Sequence, residues 1–529
     1  MDQTATLTAP PNPHPEAVDA MTSPTPNETG DPRDVHLTTW RNTVSPEDWV
    51  PPVPAGRYNL VVIGAGPAGL VCAAGAAGLG AKVALIERHQ LGGDCLNVGC
   101  VPSKGLIRAG RAAAEIARAG EFGVQGTEHP TVDFAKVMER MYRIRAELSH
   151  HDSPSRFTEL GVDVLLGDAC FVGRDRIQVG DQVLSFKKAV VATGARAILP
   201  EVPGLAECGP LTNETVFDLK SLPQRLVVVG SGPIGCELGQ TFARLGSRVT
   251  LIEKADRIMV REEAKAARAV HDALTHDGVD IHTGSTLERV EVRDGEKVVI
   301  LHNGKGEEVI PFDEILVGAG RAPNVESLNL ETAGITFDPR QGIRVDDMLR
   351  TSNPNVFAAG DVCFAYKFTH AADACARIVI ANALFKGRQK AGKLVVPWVT
   401  YTEPEVAHVG VTEGEIEDRG LAVDVIEVAT ADNDRSRLDG DDAGYARVYL
   451  KKGGDRILGA TVVSNHAGDM IGEMALAITH GIGLGKVAST IHPYPSNGEI
   501  WKKVADAYNR TRLTPTVKTW MTRWLAFTR

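Results

Sequence analysis

Residues 92–104 read GGDCLNVGCVPSK and set two thiols, Cys95 and Cys100, five positions apart. In an unbroken helix that separation rises about 7.5 Å, too far for a disulfide without distortion. Gly99 gives the backbone local freedom, and Pro102 suits the first turn of a helix starting near it. A disulfide formed at such a helix start is strained, accessible and reducible, as catalytic rather than structural bridges are. A thiolate there is favoured by the positive end of the helix and by Lys104, four residues on and on the same face as Cys100. The alternative is two buried free thiols, and the Gly/Pro punctuation of the loop argues against it. Of the other cysteines, Cys72, Cys236, Cys363 and Cys375 read as packing, the usual place of a free cysteine.

A dithiol needs an electron source, and the flanking sequence supplies one. An ungapped repeat recurs at an offset of 166 residues. LVVIGAGPAG (60–69) matches LVVVGSGPIG (226–235), and LGAKVALIE (79–87) matches LGSRVTLIE (245–253). Gly64, Gly66, Gly69 and Glu87 thus correspond to Gly230, Gly232, Gly235 and Glu253. Each copy is an apolar β-branched run, a glycine turn, a small-residue helix and a second apolar run ending in Glu, which is a βαβ unit. The first glycine permits the tight turn, the second lets the backbone approach a pyrophosphate, and the third lets helix and strand pack closely. The helix N-terminus offers free N–H groups to the phosphates. The closing Glu can accept from ribose hydroxyls. Leu60 to Ile86 carries a single charge, Lys82, and would pass for a membrane span, but its glycines break it into strand, turn and helix. Two dinucleotide sites in one chain make an electron relay, with hydride passing from a nicotinamide to a tightly held flavin and onward.

With these motifs in view, residues 57–515 resemble the flavin-dependent pyridine nucleotide–disulfide oxidoreductases, the group containing glutathione reductase, dihydrolipoamide dehydrogenase and mercuric reductase. The motifs that carry the resemblance are GAGPAG, GGDCLNVGCVPSK, VVATGARA (190–197), GSGPIGCELG, GAGRAPN (318–324), AAGD (358–361) and HPYPSNGE (492–499). It implies an α/β fold with two Rossmann-like domains and a C-terminal α+β dimerisation domain. The FAD domain is expected at 57–196 and 319–395, the inserted NAD(P) domain at 197–318, and the interface domain of a homodimer at 396–515. By the same resemblance Cys95 is the interchange thiol that meets substrate, and Cys100 is the thiolate lying against the flavin. Lys104 is expected near the flavin ring, paired with Glu237, and Asp361 at the ribityl chain, with Gly194 and Gly320 also at the cofactors. His492 is the proton shuttle that one subunit lends to the thiols of the other, a task suited to an imidazole. Where the family carries a carboxylate five residues after this histidine, the chain has Asn497. Glu499 is the nearest acid and is expected to orient His492, unless Asn497 does so without charge.

The implied reaction takes electrons from NAD(P)H through FAD and a Cys95–Cys100 disulfide to a disulfide or other thiol-reactive acceptor. Glu253 favours NADH, because a carboxylate accepts from the 2′- and 3′-hydroxyls of NADH and repels the 2′-phosphate of NADPH. Lys254 and Arg257 lie close enough to soften that repulsion. The reverse reaction on a dithiol, mercuric ion reduction and a slowly turning redox sensor are the alternatives. The ending HPYPSNGEIWKKVADAYNRTRLTP is nearest the mercuric reductase branch, yet no cysteine follows Cys375. Soft metals need thiolates, so no metal site is expected.

Composition agrees with a cytoplasmic enzyme. Hydrophobic residues make up 43% and charged residues 23% of 529, and the formal net charge of -10 speaks against nucleic acid. Residues 1–54 hold eight acids, two bases and eleven of the 29 prolines. Residues 1–56 therefore read as an acidic, Pro-rich tail, disordered to about residue 38. Trp40, Trp49 and the run Pro51–Pro54 are expected to dock as an extended strap. The segment lacks the features of a secretory or mitochondrial leader. Residues 516–529 alternate Trp520, Trp524, Leu525 and Phe527 with Lys518, Arg523 and Arg529. A short amphipathic helix there is expected to dock on the chain's own dimer rather than on a membrane.

Overall fold

The structure is a computed structural model that describes residues 32–126, 130–304 and 306–529. The repeat becomes the parallel cores of two sheets, the first extended at one edge by the antiparallel strands Arg176–Val179 and Ala169–Gly173. In the first, β1 (Arg57–Ile63) leads through helix α2 (Pro67–Gly78) into β2 (Val83–Glu87), which pairs outward with β3 (Val162–Leu166). Strand Gln182–Val191 lies parallel to the other side of β1, and Val356–Ala358 returns to pair with it. Between those two strands the chain leaves to build the second sheet, four parallel strands in the order 280–282, 248–252, 225–229, 314–317. The two copies agree in register. Leu60 faces Val83 and Ile63 faces Ile86, just as Leu226 faces Val249 and Val229 faces Ile252. The strands are β-branched and buried on both faces, as parallel strands covered by helices must be.

The third layer system is antiparallel. Strands 398–400, 405–410, 457–464, 445–451 and 423–429 form a five-stranded sheet. Helices Ala467–Thr479 and Ile500–Arg512 bury Met470, Met474, Trp501 and Val504 in the core around it. The α/β class with two Rossmann-like units and a C-terminal α+β domain is thus as expected. No helix among the described residues is long and apolar enough to cross a membrane.

Two expectations about the N-terminal segment need correction. The segment expected to be disordered to about residue 38 is already helical from Pro32, in α1 (Pro32–Val44); residues 1–31 lie outside the described residues. Trp40 and Val44 fall on one face of that helix and are buried in the core of the first sheet, which is why it forms. Trp40 therefore docks from a helix and not from an extended strap. Trp49 docks through its indole N–H on Val164 O (3.1 Å), while Val50 and Val53 beside the proline run stand exposed. At the other end, residues 515–527 form a helix with no buried residue.

Candidate active site

The helix that carries the second thiol starts two residues earlier than the sequence suggested. Cys95 sits in the short helix α3 (Gly93–Asn97), and α4 (Cys100–Ala117) begins at Cys100 itself. Val98 and Gly99 break the path between them, Gly99 with φ -136° and ψ -116°. A side chain at Gly99 would bring its Cβ within 2.6 Å of Asp94 O, so this tight break requires glycine. The break, in place of a continuous helix, folds the two thiols together, and both are unbridged.

The pair is electrostatically unequal. A hydrogen bond from Cys95 holds the Cys100 thiol down to about 6 against the cost of burial, and the Lys104 ammonium and Thr369 add to this. Cys95 is pushed well above the ordinary thiol range, first by that same bond to Cys100 and then by burial. Thr369 Oγ1 lies 3.8 Å from Cys100 Sγ. In the reduced pair the proton therefore stays on Cys95 and the thiolate on Cys100.

Behind the thiols, Lys104 on α4 reaches across to the helix Pro233–Leu245 of the second unit. Its Nζ donates to Glu237 Oε2 at 2.8 Å. Glu237 is buried, and its Oε1 accepts from Tyr401 N at 2.8 Å. Burial pulls the Lys104 ammonium down, but Glu237 outweighs it and holds the group above its ordinary value. The Tyr401 ring lies 4.6 Å from Nζ. Lys104 is thus anchored where the two dinucleotide units and the third domain meet. Tyr401 and Thr369 carry no motif, and their parts depend on approaches between distant segments.

The glycine loops fit dinucleotides. A Cβ on Gly69 would lie 1.8 Å from Gly64 O, and one on Gly235 1.9 Å from Gly230 O, so the third glycine of each loop serves close packing. Around Gly232 nothing lies within 4 Å of such a Cβ, which leaves room for a phosphate against the backbone. Gly194 and Gly320 adopt φ of +70° and +134° immediately before the paired antiparallel strands Ala195–Ala197 and Arg321–Pro323. The closing acids repeat the geometry. Glu87 accepts from Ala65 N (2.7 Å) and His89 N (2.9 Å), and Glu253 from Ser231 N (3.0 Å) and Ala255 N (2.9 Å). A cavity of about 330 Å³ opens at the first of them, lined by Gly64, Glu87, Arg88, Asp168, Thr193 and Arg196 among others. Asp361 has its pKa raised by burial, and Arg321, 3.9 Å away, keeps a buried Nε with no hydrogen-bond partner. Unsatisfied polar groups of this kind suit a ligand's hydroxyls and phosphates, so the residues present fit FAD. Arg321 has no counterpart in the sequence reading, although it stands inside GAGRAPN.

His492 does not meet the acid expected of it. Its Nε2 bonds Glu473 at 3.0 and 3.1 Å, and its Nδ1 lies 3.1 Å from Thr490 O. Glu499 stays apart with Oε2 buried and unpartnered, and Asn497 accepts from Ser436 Oγ at 3.4 Å. The reason is positional: Asn497–Glu499 form a single 3-10 turn leading into the helix at Ile500, whereas Glu473 projects from the packed helix Ala467–Thr479. The one legible signal for Glu473 is an acid in the middle of a largely apolar helix whose other acid, Asp469, stands in the first turn.

Comparisons with known proteins point to one family. Residues 58–376 match the model for pyridine nucleotide-disulphide oxidoreductases, and residues 396–505 match the dimerisation domain of that family. A mercuric reductase of Staphylococcus aureus is 34% identical over 455 residues, covering 86% of this chain and 83% of that protein. A dihydrolipoyl dehydrogenase of Bacillus subtilis (strain 168) is 36% identical over 456 residues, covering 85% and 96%. The structure of the HOCl-induced flavoprotein disulfide reductase RclA from Escherichia coli superposes with a TM-score of 0.75 at 27% identity, covering 85% of this chain and 99% of that one.

Proposed function

Because this chain belongs to the pyridine nucleotide-disulphide oxidoreductase family, we propose that it reduces a small-molecule disulfide at the expense of NADH through Cys95 and Cys100. It is an FAD-dependent oxidoreductase that uses a pyridine nucleotide, and the match to the family's dimerisation domain supports a homodimer. FAD, held by the first glycine loop with Glu87, Arg321 and Asp361, would supply the two-electron chemistry that links the nicotinamide to the Cys95–Cys100 disulfide. We place this chemistry in the cytoplasm, where thiols are kept reduced.

The observation that carries the reading is the unequal thiol pair beside the Lys104–Glu237 contact. The Cys95 thiol keeps its proton, so a base must remove it before Cys95 can attack, and His492 of the partner subunit is the group assigned to that step. The Cys95 sulfur then bonds one sulfur of the substrate disulfide, whose S–S bond breaks, and the leaving thiolate takes the proton back. Cys100, already a thiolate, attacks the mixed disulfide, releases the second thiolate and closes Cys95–Cys100. Two electrons leave the pair, and the products leave as one thiol and one thiolate, which takes its proton from solvent. Glu473 holds the shuttle, and Lys104, fixed by Glu237, supports the negative charge on Cys100.

The nucleotide preference rests on the second acid. Burial pushes the Glu253 carboxyl up, but hydrogen bonds from Ala255 and Ser231 outweigh this and hold it below its ordinary value. Arg257 is committed elsewhere, its guanidinium donating to Met259 O (3.0 Å), Val260 O (2.9 Å) and Glu262 O (3.0 Å). Of the two cations beside Glu253, only the exposed Lys254 remains free of such bonds. This supports NADH over NADPH. We rank mercuric ion second to a disulfide, because residues 376–529 hold no second thiol pair to relay a soft metal. Steady-state oxidation of NADH with a panel of low-molecular-weight disulfides tests the proposal. At least one should turn over, and mercuric ion should inhibit rather than sustain the reaction. Rapid, sustained mercury-dependent oxidation at low free thiol, with every disulfide inert, would reverse the ranking.

A further inference from the structure

Helix Pro515–Phe527 has no buried residue. Its side-chain hydrogen bonds stay within the segment, from Thr519, Thr522 and Thr528 to carbonyls three or four residues back. Among the described residues, Lys518, Arg523 and Arg529 form no ion pair. At 100° per residue, Val517, Trp520, Met521, Trp524, Leu525 and Phe527 fall on one arc of roughly 160°. The opposite arc holds Thr516, Thr519, Thr522 and Ala526. Lys518 and Arg529 line one border of the apolar arc, and Arg523 the other. Trp520 is 69% exposed, Trp524 66% and Phe527 85%, so the whole apolar face is open to solvent.

Charge points to what covers it. Residues 507–529 contain five cations (Arg510, Arg512, Lys518, Arg523, Arg529) and no acidic side chain, in a chain whose net charge is -10. Two copies of this helix laid face to face would bring their bordering cations together with no acid in either helix to pair them. An anionic surface instead satisfies every border cation while the indoles and the Phe527 ring enter the headgroup region. Lysine and arginine stems can then lie along the apolar face with their charges in the headgroups.

We propose that this helix is an interfacial anchor that seats the enzyme on an anionic phospholipid bilayer, lying in the plane of the surface with Trp520 and Trp524 inserted. The anchor follows helix Ile500–Arg512, which packs on the five-stranded sheet, so docking holds the C-terminal domain at the membrane. A homodimer carries two anchors, and binding by two tethered sites exceeds that of either alone.

The full-length holoenzyme is sedimented with vesicles of about 30% phosphatidylglycerol in phosphatidylcholine and with vesicles of phosphatidylcholine alone. The anionic vesicles should retain it, and tryptophan emission should shift to the blue. Trp520→Ser/Trp524→Ser and Lys518→Gln/Arg523→Gln should each lower partitioning by about tenfold or more. Raising salt to about 1 M should release the wild type, because screening then acts over about 3 Å. NADH oxidation by both variants in vesicle-free solution should match the wild type. Absence of retention on anionic vesicles, or retention unchanged in both variants, overturns the proposal. A loss of oligomeric mass in the tryptophan variant also overturns it, and assigns the face to a second copy of the chain.

Discussion

Trp40→Phe should loosen the segment between the two thiols without unseating α1. The indole N–H donates to Asn97 Oδ1 at 2.9 Å, and Asn97 lies between Cys95 and Cys100. Asn97 is buried, its Nδ2 donates to Leu91 O (3.0 Å), and its own carbonyl accepts from Arg145 Nη1 (2.8 Å). Arg145 is stacked 3.8 Å from the Trp40 ring and 4.6 Å from that of Tyr142. Leu91 N in turn donates to Val44 O, tying the loop to the end of α1 (3.1 Å). Phenylalanine keeps an aromatic face for Arg145 and removes one donor. A buried acceptor left unpaired costs about 1–3 kcal/mol. If that cost falls on the closed loop, its open population rises about 5- to 150-fold. Hydrogen exchange of the amides of residues 93–99, followed by mass spectrometry, reads this directly, and the alkylation rate of Cys95 should rise in parallel. Trp49→Phe is the control, since it removes a comparable bond to Val164 O away from the loop. Exchange at 93–99 that is unchanged in Trp40→Phe, or equally raised in Trp49→Phe, would refute the idea that α1 clamps the thiol loop.

Other consequences can be checked at the site. Glu253→Ala should raise kcat/KM for NADPH relative to NADH by about tenfold or more, since an ionised carboxylate about 4 Å from a 2′-phosphate charge costs a few kcal/mol near a protein surface; an unchanged ratio would remove Glu253 from nucleotide choice. Glu473→Gln should lower disulfide turnover by about tenfold or more through a misplaced shuttle, whereas Glu499→Gln should leave it nearly unchanged, and the reverse result would restore Glu499 as the orienting acid. In the two-electron-reduced enzyme the long-wavelength absorbance of a thiolate beside flavin should be present at neutral pH and fade as pH falls through about 6. Fading near the ordinary thiol value of about 8.5 would mean that Cys95 and Lys104 do not hold Cys100 down. Mixing Cys95→Ser with His492→Ala subunits should restore one working site per exchanged heterodimer, and no recovery after demonstrated exchange would place the shuttle elsewhere.

How much of this was legible in the sequence depended on whether a function lives in local geometry. The glycine loops did, because turn, helix start and closing acid lie within about 25 residues. The repeat at 166 therefore predicts not only two βαβ units but matching bonds, Glu87 to Ala65 N and Glu253 to Ser231 N. The thiol pair was legible for the same reason, although α4 starts at Cys100 rather than near Pro102 because Gly99 breaks the chain earlier. Glu473 was not, since it lies 19 residues from His492, on a helix that only the packing of the third domain brings to the loop carrying the imidazole. Nor was α1, whose polar and Pro-rich surroundings hid a face of Leu37, Trp40 and Val44 that becomes stable only against the first sheet. Helix α1 lies outside the residues 58–376 and 396–505 that match the family.

The central claim is that electrons pass through Cys95 and Cys100, with the proton on the first and the thiolate on the second. Single serine variants, each purified with FAD bound, test it most directly when absorbance and disulfide turnover are read on the same samples. Cys95→Ser should keep the long-wavelength thiolate absorbance at neutral pH and lose disulfide turnover. Cys100→Ser should lose both while retaining FAD. Full disulfide reductase activity in either variant, or the absorbance surviving in Cys100→Ser, would contradict the account.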